Sequence, residues 1–317
     1  MPRSLPRTAI PAAAAAGVLA AAESALAGGP LFPGDAATNA SGVDSLFWMA
    51  TWMGAVAFAL VVAILAWCMI AYRARPGHRA VYATGETKGA RTFTGVFALG
   101  VFCILDVSLA IKDHAVHAEM YGEPPAEAEA NVVECLARQF EWRFRWPGAD
   151  GRFGGLESDP AATDDVTSVN ILRIPDDRPT ILRLRSIDVI HSFFLPHFRT
   201  KQDAVPGMFT SIVIRPKSVA EMAAAGLPVN AEGRHEFDVA CAELCGLGHY
   251  SMDKGRVIVL PRAEYDAWLA AQVQAVADEI RDYGPAPMDE YWSIYTRRSA
   301  AGGDPAAGGA PTGGEGK

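Results

Sequence analysis

The sequence predicts a two-helix transmembrane hairpin followed by an all-β domain. Three observations carry this. Two apolar runs, 46–72 and 93–111, lie in the first third of the 317-residue chain, and each approaches or exceeds the ~20 residues that a bilayer-spanning helix needs. From residue 131 onward the pattern changes to short segments rich in β-branched and aromatic residues, which is strand chemistry. Turn residues such as Trp146-Pro147-Gly148-Ala149-Asp150-Gly151 separate those segments, and about seven short strands of this kind suggest a β-sandwich or small barrel.

In chain order, residues 1–28 have the form of a secretory leader. Arg3 and Arg7 give a basic start, Ile10 to Ala22 an Ala-rich apolar middle, and Ala25-Leu26-Ala27 a small-x-small cleavage site. No Cys follows that site closely, which argues against a lipoprotein. The hairpin occupies 44–112. Its connecting loop carries Arg73, Arg75, Arg79, Lys88 and Arg91 against a single acid, Glu86. The positive-inside bias therefore predicts a cytoplasmic loop, with the cleaved N-terminus and everything after Lys112 outside. Trp48 and Trp52 near the outer end of the first span suit an interfacial belt. Asp106 interrupts the second span, and a carboxyl at that depth is expected to face protein or water. A neighbouring subunit or a proton path are its two readings.

Residues 113–130 form an acidic, Pro-containing linker with the run Glu123-Pro-Pro-Ala-Glu-Ala-Glu129. The β domain is expected over 131–262, with strands at Val132–Cys135, Phe140–Trp146, Val169–Ile174, Thr180–Arg185, Phe209–Ile214, His235–Ala240 and Arg256–Leu260. A short surface helix is expected at Ser218–Gly226. An amphipathic helix over 263–284 would bury Tyr265, Trp268, Leu269, Val273 and Val276 on one side. Gly, Ala and Pro dominate 285–317, a composition that predicts disorder.

The formal net charge is −8, which excludes nucleic acid as a natural partner and suits a basic protein instead. The five cysteines show no regular disulfide framework. Cys68 and Cys103 fall in the apolar runs and Cys135 in a strand, where a thiol acts as a small hydrophobe. Cys241 and Cys245 differ. The run Cys241-Ala-Glu-Leu-Cys245-Gly-Leu-Gly-His249-Tyr-Ser-Met252 holds two thiols, an imidazole and a thioether, and His191 lies upstream in Asp188-Val-Ile-His191-Ser192. Soft ligands at this density point to copper. One blue-type copper uses a single thiolate, whereas two thiolates can bridge a pair of coppers, each capped by one His. A zinc site of two Cys and two His would leave Met252 unused, and a Cys241–Cys245 disulfide is the other alternative.

These motifs, with Lys201-Gln-Asp203-Ala-Val-Pro206-Gly207, resemble the binuclear CuA centre of cytochrome c oxidase subunit II. The resemblance covers roughly residues 44–265. It implies a cupredoxin-like Greek-key barrel and a ligand set of His191, Cys241, Cys245, His249 and Met252, with the backbone carbonyl of Glu243 as a weak ligand. It also implies a magnesium ion shared with subunit I through the Glu243 carboxylate, a hard-cation ligand. Such a chain would be subunit II of an aa3-like haem-copper oxidase in a bacterial inner membrane. It would take electrons from cytochrome c and pass them to haem in subunit I, where oxygen reduction is coupled to proton pumping. The chain lacks Cys-x-x-Cys-His, so no c-type haem is fused to it.

Two departures from the family pattern stand out. Gln139-Phe140-Glu141-Trp142 replaces Gln-Trp-x-Trp, which leaves Phe140, with Trp142 or another surface aromatic, as candidates for receiving the electron, ordinary barrel packing being the other reading of both. The second span lacks the Glu that often stands near its cytoplasmic start, and Glu86, about one turn earlier, is either an exposed loop acid or a substitute at a proton-channel mouth. Glu141, Asp188 and Asp203 are candidates for steering a basic donor. His114, His117, His197 and His235 are expected to be structural or surface residues. A CuA-containing nitric-oxide reductase subunit is the alternative reading, and a membrane-anchored copper carrier a weaker one.

Overall fold

Apolar length decides the first part of the architecture. The computed structural model describes residues 32–77, 79, 84–153 and 164–283. The leader expected over 1–28 and the tail expected over 285–317 lie outside them. The chain divides into a helical unit, residues 39–124, and a β unit formed by residues from Pro125 onward together with the segment up to Thr38.

Helix α1 spans Ala40–Ala71 and α2 spans Lys88–Tyr121. At 1.5 Å per residue both exceed the ~30 Å hydrocarbon core of a bilayer. Their side chains Val56, Phe58, Leu65, Ile70, Phe93, Leu99 and Ile104 are exposed, as lipid-facing residues must be. Thr87 caps α2, its hydroxyl accepting from the Ala90 amide at 3.2 Å. Within α2 the segment Phe102–Val107 is π-helical, and Asp106 falls inside it with its side chain exposed. The helices meet where Gly42 approaches Val116 and where Asn39 Nδ2 donates to Met120 Sδ at 3.0 Å. Helix α2 runs through residues expected to be linker. Lys112, Asp113, His114 and His117 end the apolar run but do not oppose helical backbone; Gly122 and the Pro124-Pro125 pair do.

The β unit holds ten strands: β1 Asn131–Arg138, β2 Glu141–Trp146, β3 Val166–Val169, β4 Ile171–Pro175, β5 Thr180–Ser186, β6 His191–Leu195, β7 Thr200–Ala204, β8 Thr210–Ile214, β9 His235–Cys241 and β10 Gly255–Leu260. They form two five-stranded sheets, ordered β3-β2-β1-β5-β8 and β4-β10-β9-β6-β7. All pairings are antiparallel except β1 with β5 and β10 with β4. The chain passes repeatedly from one sheet to the other, the Greek-key arrangement of a cupredoxin-like sandwich.

One expected strand, Val169–Ile174, is split between the two sheets. Asn170 takes a left-handed conformation, φ 61°, which Asn tolerates better than most residues. Its Oδ1 accepts from the Trp142 amide at 2.8 Å, its own amide donates to the Trp142 carbonyl, and its carbonyl accepts from the Arg256 amide. A single residue thus turns the chain between layers.

Trp142, Phe144, Trp146, Leu182, Leu184 and Phe193 are fully buried between the sheets. A charged group is buried on the other face of the first sheet, where the alternation of β2 turns Arg145 away from Phe144 and Trp146. Arg145 is bonded to Glu134 and lies 3.2 Å from Asp165. The segment before α1 is tied to the same unit: the Ala36 amide donates to the His197 carbonyl, the Lys217 amide to the Ala36 carbonyl, and Lys217 Nζ pairs with Asp35 at 2.9 Å. Helix α3, Val219–Ala224, begins with a capping box between Ser218 and Glu221. Helix α4, Arg262–Tyr283, docks by Tyr265, whose hydroxyl donates to Asn131 Oδ1, and by Trp268, whose ring stands edge-on to Trp146 at 5.1 Å. Val273 and Val276, expected on its apolar side, remain half-exposed.

Candidate metal centre

Strand register brings the soft ligands together. Strands β6 and β9 are antiparallel with Phe193 opposite Cys241. His191, two residues earlier on β6, therefore falls beside the chain just beyond Cys241. The chain after β9 loops back through residues 242–248 into a 3-10 turn, His249–Lys254, that leads into β10. This return carries Cys245, His249 and Met252 to the same end of the sandwich. The barrel thus fixes both anchors of a short loop, a common way to combine a rigid scaffold with clustered ligands.

His191, Cys241 and Cys245 have donor atoms within 4.8 Å of one another. The two sulfurs are 4.0 Å apart and not bonded. Cys241 Sγ lies 3.9 Å from His191 Nδ1 and 3.1 Å from the Glu243 carbonyl oxygen. Cys245 Sγ lies 3.5 Å from His249 Nδ1 and 3.4 Å from Met252 Sδ. Each sulfur therefore has one imidazole beside it and one weaker donor on its own side. His191, Cys245 and Met252 are buried, Cys241 and His249 half-buried, and the Glu243 side chain is exposed.

Burial opposes ionisation of Cys241, but contacts with His191 and with the backbone of Ser192 and Glu243 outweigh it, and the thiol titrates at about 7. Burial and the neighbouring Cys241 sulfur push Cys245 up to about 12. Two adjacent thiolates thus need a compensating cation, which fits this donor set to a thiophilic metal. Burial lowers the affinity of His191 for a proton, but Cys241 and Asp188 reverse the direction to a net rise. His191 Nε2 is 2.9 Å from Asp188 Oδ1. That contact fixes the ring so that Nδ1 faces the sulfurs, the carboxylate–histidine pairing common behind metal-bound imidazoles.

The other sequence-predicted residues divide clearly. Phe140 is half-exposed and its ring lies on the backbone of Gly246 and Gly248. Trp142, for which the sequence left barrel packing and a share in electron entry as the two readings, has no exposed surface. It is a layer below, its indole N–H donating to the Met252 carbonyl at 3.4 Å and its ring 6.1 Å from His191. The alternation of β2 turns Trp142 inward, so it cannot meet an external donor directly. The three candidate steering acids are all engaged internally. Glu141 pairs with Arg143 and Arg138, Asp203 accepts from Ser192 Oγ at 2.6 Å, and Asp188 holds His191. Glu86 and Asp106 belong to the helical unit and not to the cluster. His235 is buried with Nδ1 3.1 Å from the Pro228 carbonyl, a structural role. Sequence reasoning missed Gln139, which reaches both halves of the site. The spacing Cys245-Gly-Leu-Gly-His249 was the available signal, since paired glycines mark a close approach by another segment.

A two-span chain whose β-sandwich holds cysteine, histidine and methionine donors at one end is a membrane-anchored, cupredoxin-like protein of the soft-metal class. The family of the cytochrome c oxidase subunit II periplasmic domain matches residues 156–259. The alternative cytochrome c oxidase subunit 2 of Bradyrhizobium diazoefficiens is 34% identical over 74% of this chain and 82% of its own length. The cytochrome c oxidase subunit 2 of Synechocystis is 25% identical over 79% of this chain and 78% of its own length. Among solved structures, the periplasmic domain of subunit II (CoxB) of Bradyrhizobium japonicum aligns with 49% of this chain and 99% of that domain, at 21% identity and a TM-score of 0.35. The chain belongs to the cytochrome c oxidase subunit II family. It is a copper-centre, electron-entry subunit of an oxidoreductase complex whose catalysis lies in subunit I, and its two candidate membrane spans and periplasmic-domain family fit a two-pass membrane protein.

Proposed function

We propose that this chain is subunit II of an aa3-like haem-copper oxidase. It takes electrons singly from cytochrome c at a binuclear CuA centre and passes them to haem in subunit I, where oxygen reduction drives proton pumping. The observation that carries this is the pair of unbonded sulfurs 4.0 Å apart, each with its own imidazole. In this reading Cys241, Cys245, His191 and His249 would hold the copper pair, with Met252 and the Glu243 carbonyl as weaker donors. When bound, a copper pair of this kind supplies a one-electron acceptor whose charge is shared over both ions. The chain's own part is preorganisation. Asp188 holds the His191 ring, burial of Cys245 and Met252 excludes water, and the sandwich sets the separation of the two ligand strands.

The remaining assignments follow the same reading. Phe140 is the half-exposed aromatic over the loop and receives the electron, and Trp142 lies beneath it as an inner aromatic. Glu141, Asp188 and Asp203 add negative field around the loop that favours a basic donor. Leu244, Leu247 and Tyr250 project into solvent as apolar contacts for a docked protein. The exposed Glu243 carboxylate is available to a magnesium ion shared with subunit I. Glu86 and Asp106 are assigned to a proton path. The relatives' names speak of oxidases, which does not favour the nitric-oxide reductase or copper-carrier readings.

The test uses the full chain in detergent, loaded with copper and examined by electron paramagnetic resonance. The expected result is a hyperfine pattern from one electron shared equally over a pair of copper nuclei. Cys245→Ser is expected to abolish that pattern and to stop turnover with cytochrome c in the assembled oxidase. A mononuclear copper signal from the unsubstituted chain, or turnover that survives Cys245→Ser, overturns the proposal.

A further inference from the structure

The tip of the β1–β2 hairpin touches both halves of the ligand cluster, although it contributes no ligand. The Gln139 amide donates to Asp188 Oδ2 at 2.7 Å, and Asp188 Oδ1 holds His191 Nε2 at 2.9 Å. The Gln139 side chain goes the other way: Nε2 donates to the Cys245 carbonyl at 2.6 Å. One residue thus spans from the β6 ligand to the ligand loop. Phe140 adds a steric contact. A Cβ on Gly248 would stand 2.3 Å from Phe140 Cδ2, and one on Gly246 would stand 2.7 Å from Gln139 Nε2 and 3.2 Å from the Phe140 ring. The loop sequence Cys245-Gly-Leu-Gly-His249 therefore alternates glycine because residues 139 and 140 occupy the space side chains would need. Leu247, between the glycines, points away and is 99% exposed.

We propose that Gln139 and Phe140 are positioning residues, a clamp that holds the Cys245–His249 loop at a fixed distance from His191. This rests on the copper-pair reading above, but the clamp itself is a property of the metal-free chain. Without it the loop could open as a unit, since the hydrogen bonds within its own turn are few: the His249 amide on the Gly246 carbonyl at 3.1 Å, and the Ser251 amide and hydroxyl on the Gly248 carbonyl at 2.8 and 2.7 Å.

The test is amide hydrogen exchange on the metal-free full chain in detergent, with copper release to a chelator as the second measurement. In Gln139→Ala, protection of the His249 and Ser251 amides is expected to fall about tenfold, roughly the worth of one lost hydrogen bond. Copper release is expected to accelerate by a similar factor. Core amides of Leu136 and Leu182 should keep their protection. Gly248→Ala is expected to harm the loop more than Phe140→Ala does, and the double variant Gly248→Ala/Phe140→Ala to be no worse than Phe140→Ala alone, because the clash is gone. Unchanged protection in Gln139→Ala, an equal fall in the core amides, or simply additive losses in the double variant would each overturn the clamp. If the unsubstituted chain never shows a shared-electron signal, the copper-pair reading fails while the exchange data still judge the clamp.

Discussion

At the scale of single residues, the centre depends on groups that hold ligands as much as on the ligands. Asp188 shows this. It accepts from His191 Nε2, from the Gln139 amide and from the Val189 amide at 2.7 Å, and these contacts outweigh its burial and hold its carboxyl below the usual range. It is therefore a carboxylate across the neutral range, fixed in place and aimed at the imidazole. Asp188→Ala should leave His191 present but free to rotate about its ring bond. Loss of such an outer partner typically costs about 10–100-fold in metal affinity, and that range is the expected outcome in a competition titration of copper against a chelator. Asp188→Asn, which keeps one acceptor, should lose less. Equal affinity in all three chains would mean that the Asp188–His191 contact plays no part in holding metal. The cluster over residues 241–252 was legible in the sequence because its chemistry is local: two thiols, an imidazole and a thioether close together. Asp188 was legible as an acid, but its role was not, since the fold brings the Gln139 amide of the distant β1–β2 hairpin to it.

At the scale of elements, legibility followed how far the deciding interaction lies along the chain. The spans were visible because bilayer burial is set by composition alone. Strands such as β5 and β10 were visible through their β-branched residues. Strand β7, Thr200–Ala204, reads Thr-Lys-Gln-Asp-Ala and carries almost no strand propensity; its pairing with β6 across a tight turn makes it a strand, an instance of tertiary context overriding local preference. Asn170 split an apparent strand for a similar reason: its side-chain bond to the Trp142 amide is made with another strand and leaves no mark in the local pattern. Helix α4 fails in the opposite sense, since its apolar stripe continues past Trp268 although docking ends there.

The buried ion network on β1 and β2 supplies the element-scale prediction. Arg145 is 3% exposed, bonds Glu134 and faces Asp165, while Arg183 also bonds Glu127 and lies 3.9 Å from Glu134. Removing the central cation strands two carboxylates away from water, which typically costs about 3–5 kcal/mol, whereas a well-packed neutral replacement of the whole set is often tolerated. Arg145→Ala is therefore expected to lower the stability of the β unit by that amount in denaturant unfolding. Glu134→Gln in the same background should recover part of it. A loss no larger than that of an exposed ion pair, about 0–1 kcal/mol, would show that water reaches the cluster.

At the scale of the whole molecule, topology decides whether the centre can work, because thiols that must bind copper for an outside donor have to leave the cytosol. Two independent features bear on topology, one on which side the loop lies and the other on whether both ends of the hairpin share a side. The stretch from the end of α1 into the first turn of α2 carries five basic residues, Arg73, Arg75, Arg79, Lys88 and Arg91, against Glu86, a bias that predicts a cytoplasmic position for it. The segment before α1 is hydrogen-bonded into the β unit through Ala36, His197 and Lys217, so the chain on either side of the hairpin must lie in one compartment, which an even number of crossings satisfies. The expected outcome is that alkaline phosphatase fused after Pro125 is active and the same enzyme fused after Arg75 is inactive, with a cytosolic reporter giving the reverse pattern. Replacing Asp35 and the residues around Ala36 should not change those patterns, since charge in the loop sets orientation during insertion and the Ala36 contacts form only after the β unit folds. Were the fusion after Arg75 active and the fusion after Pro125 silent, the two thiols would face a reducing compartment on the wrong side of the bilayer for an external electron donor, and the proposed route from cytochrome c would have no path into this chain.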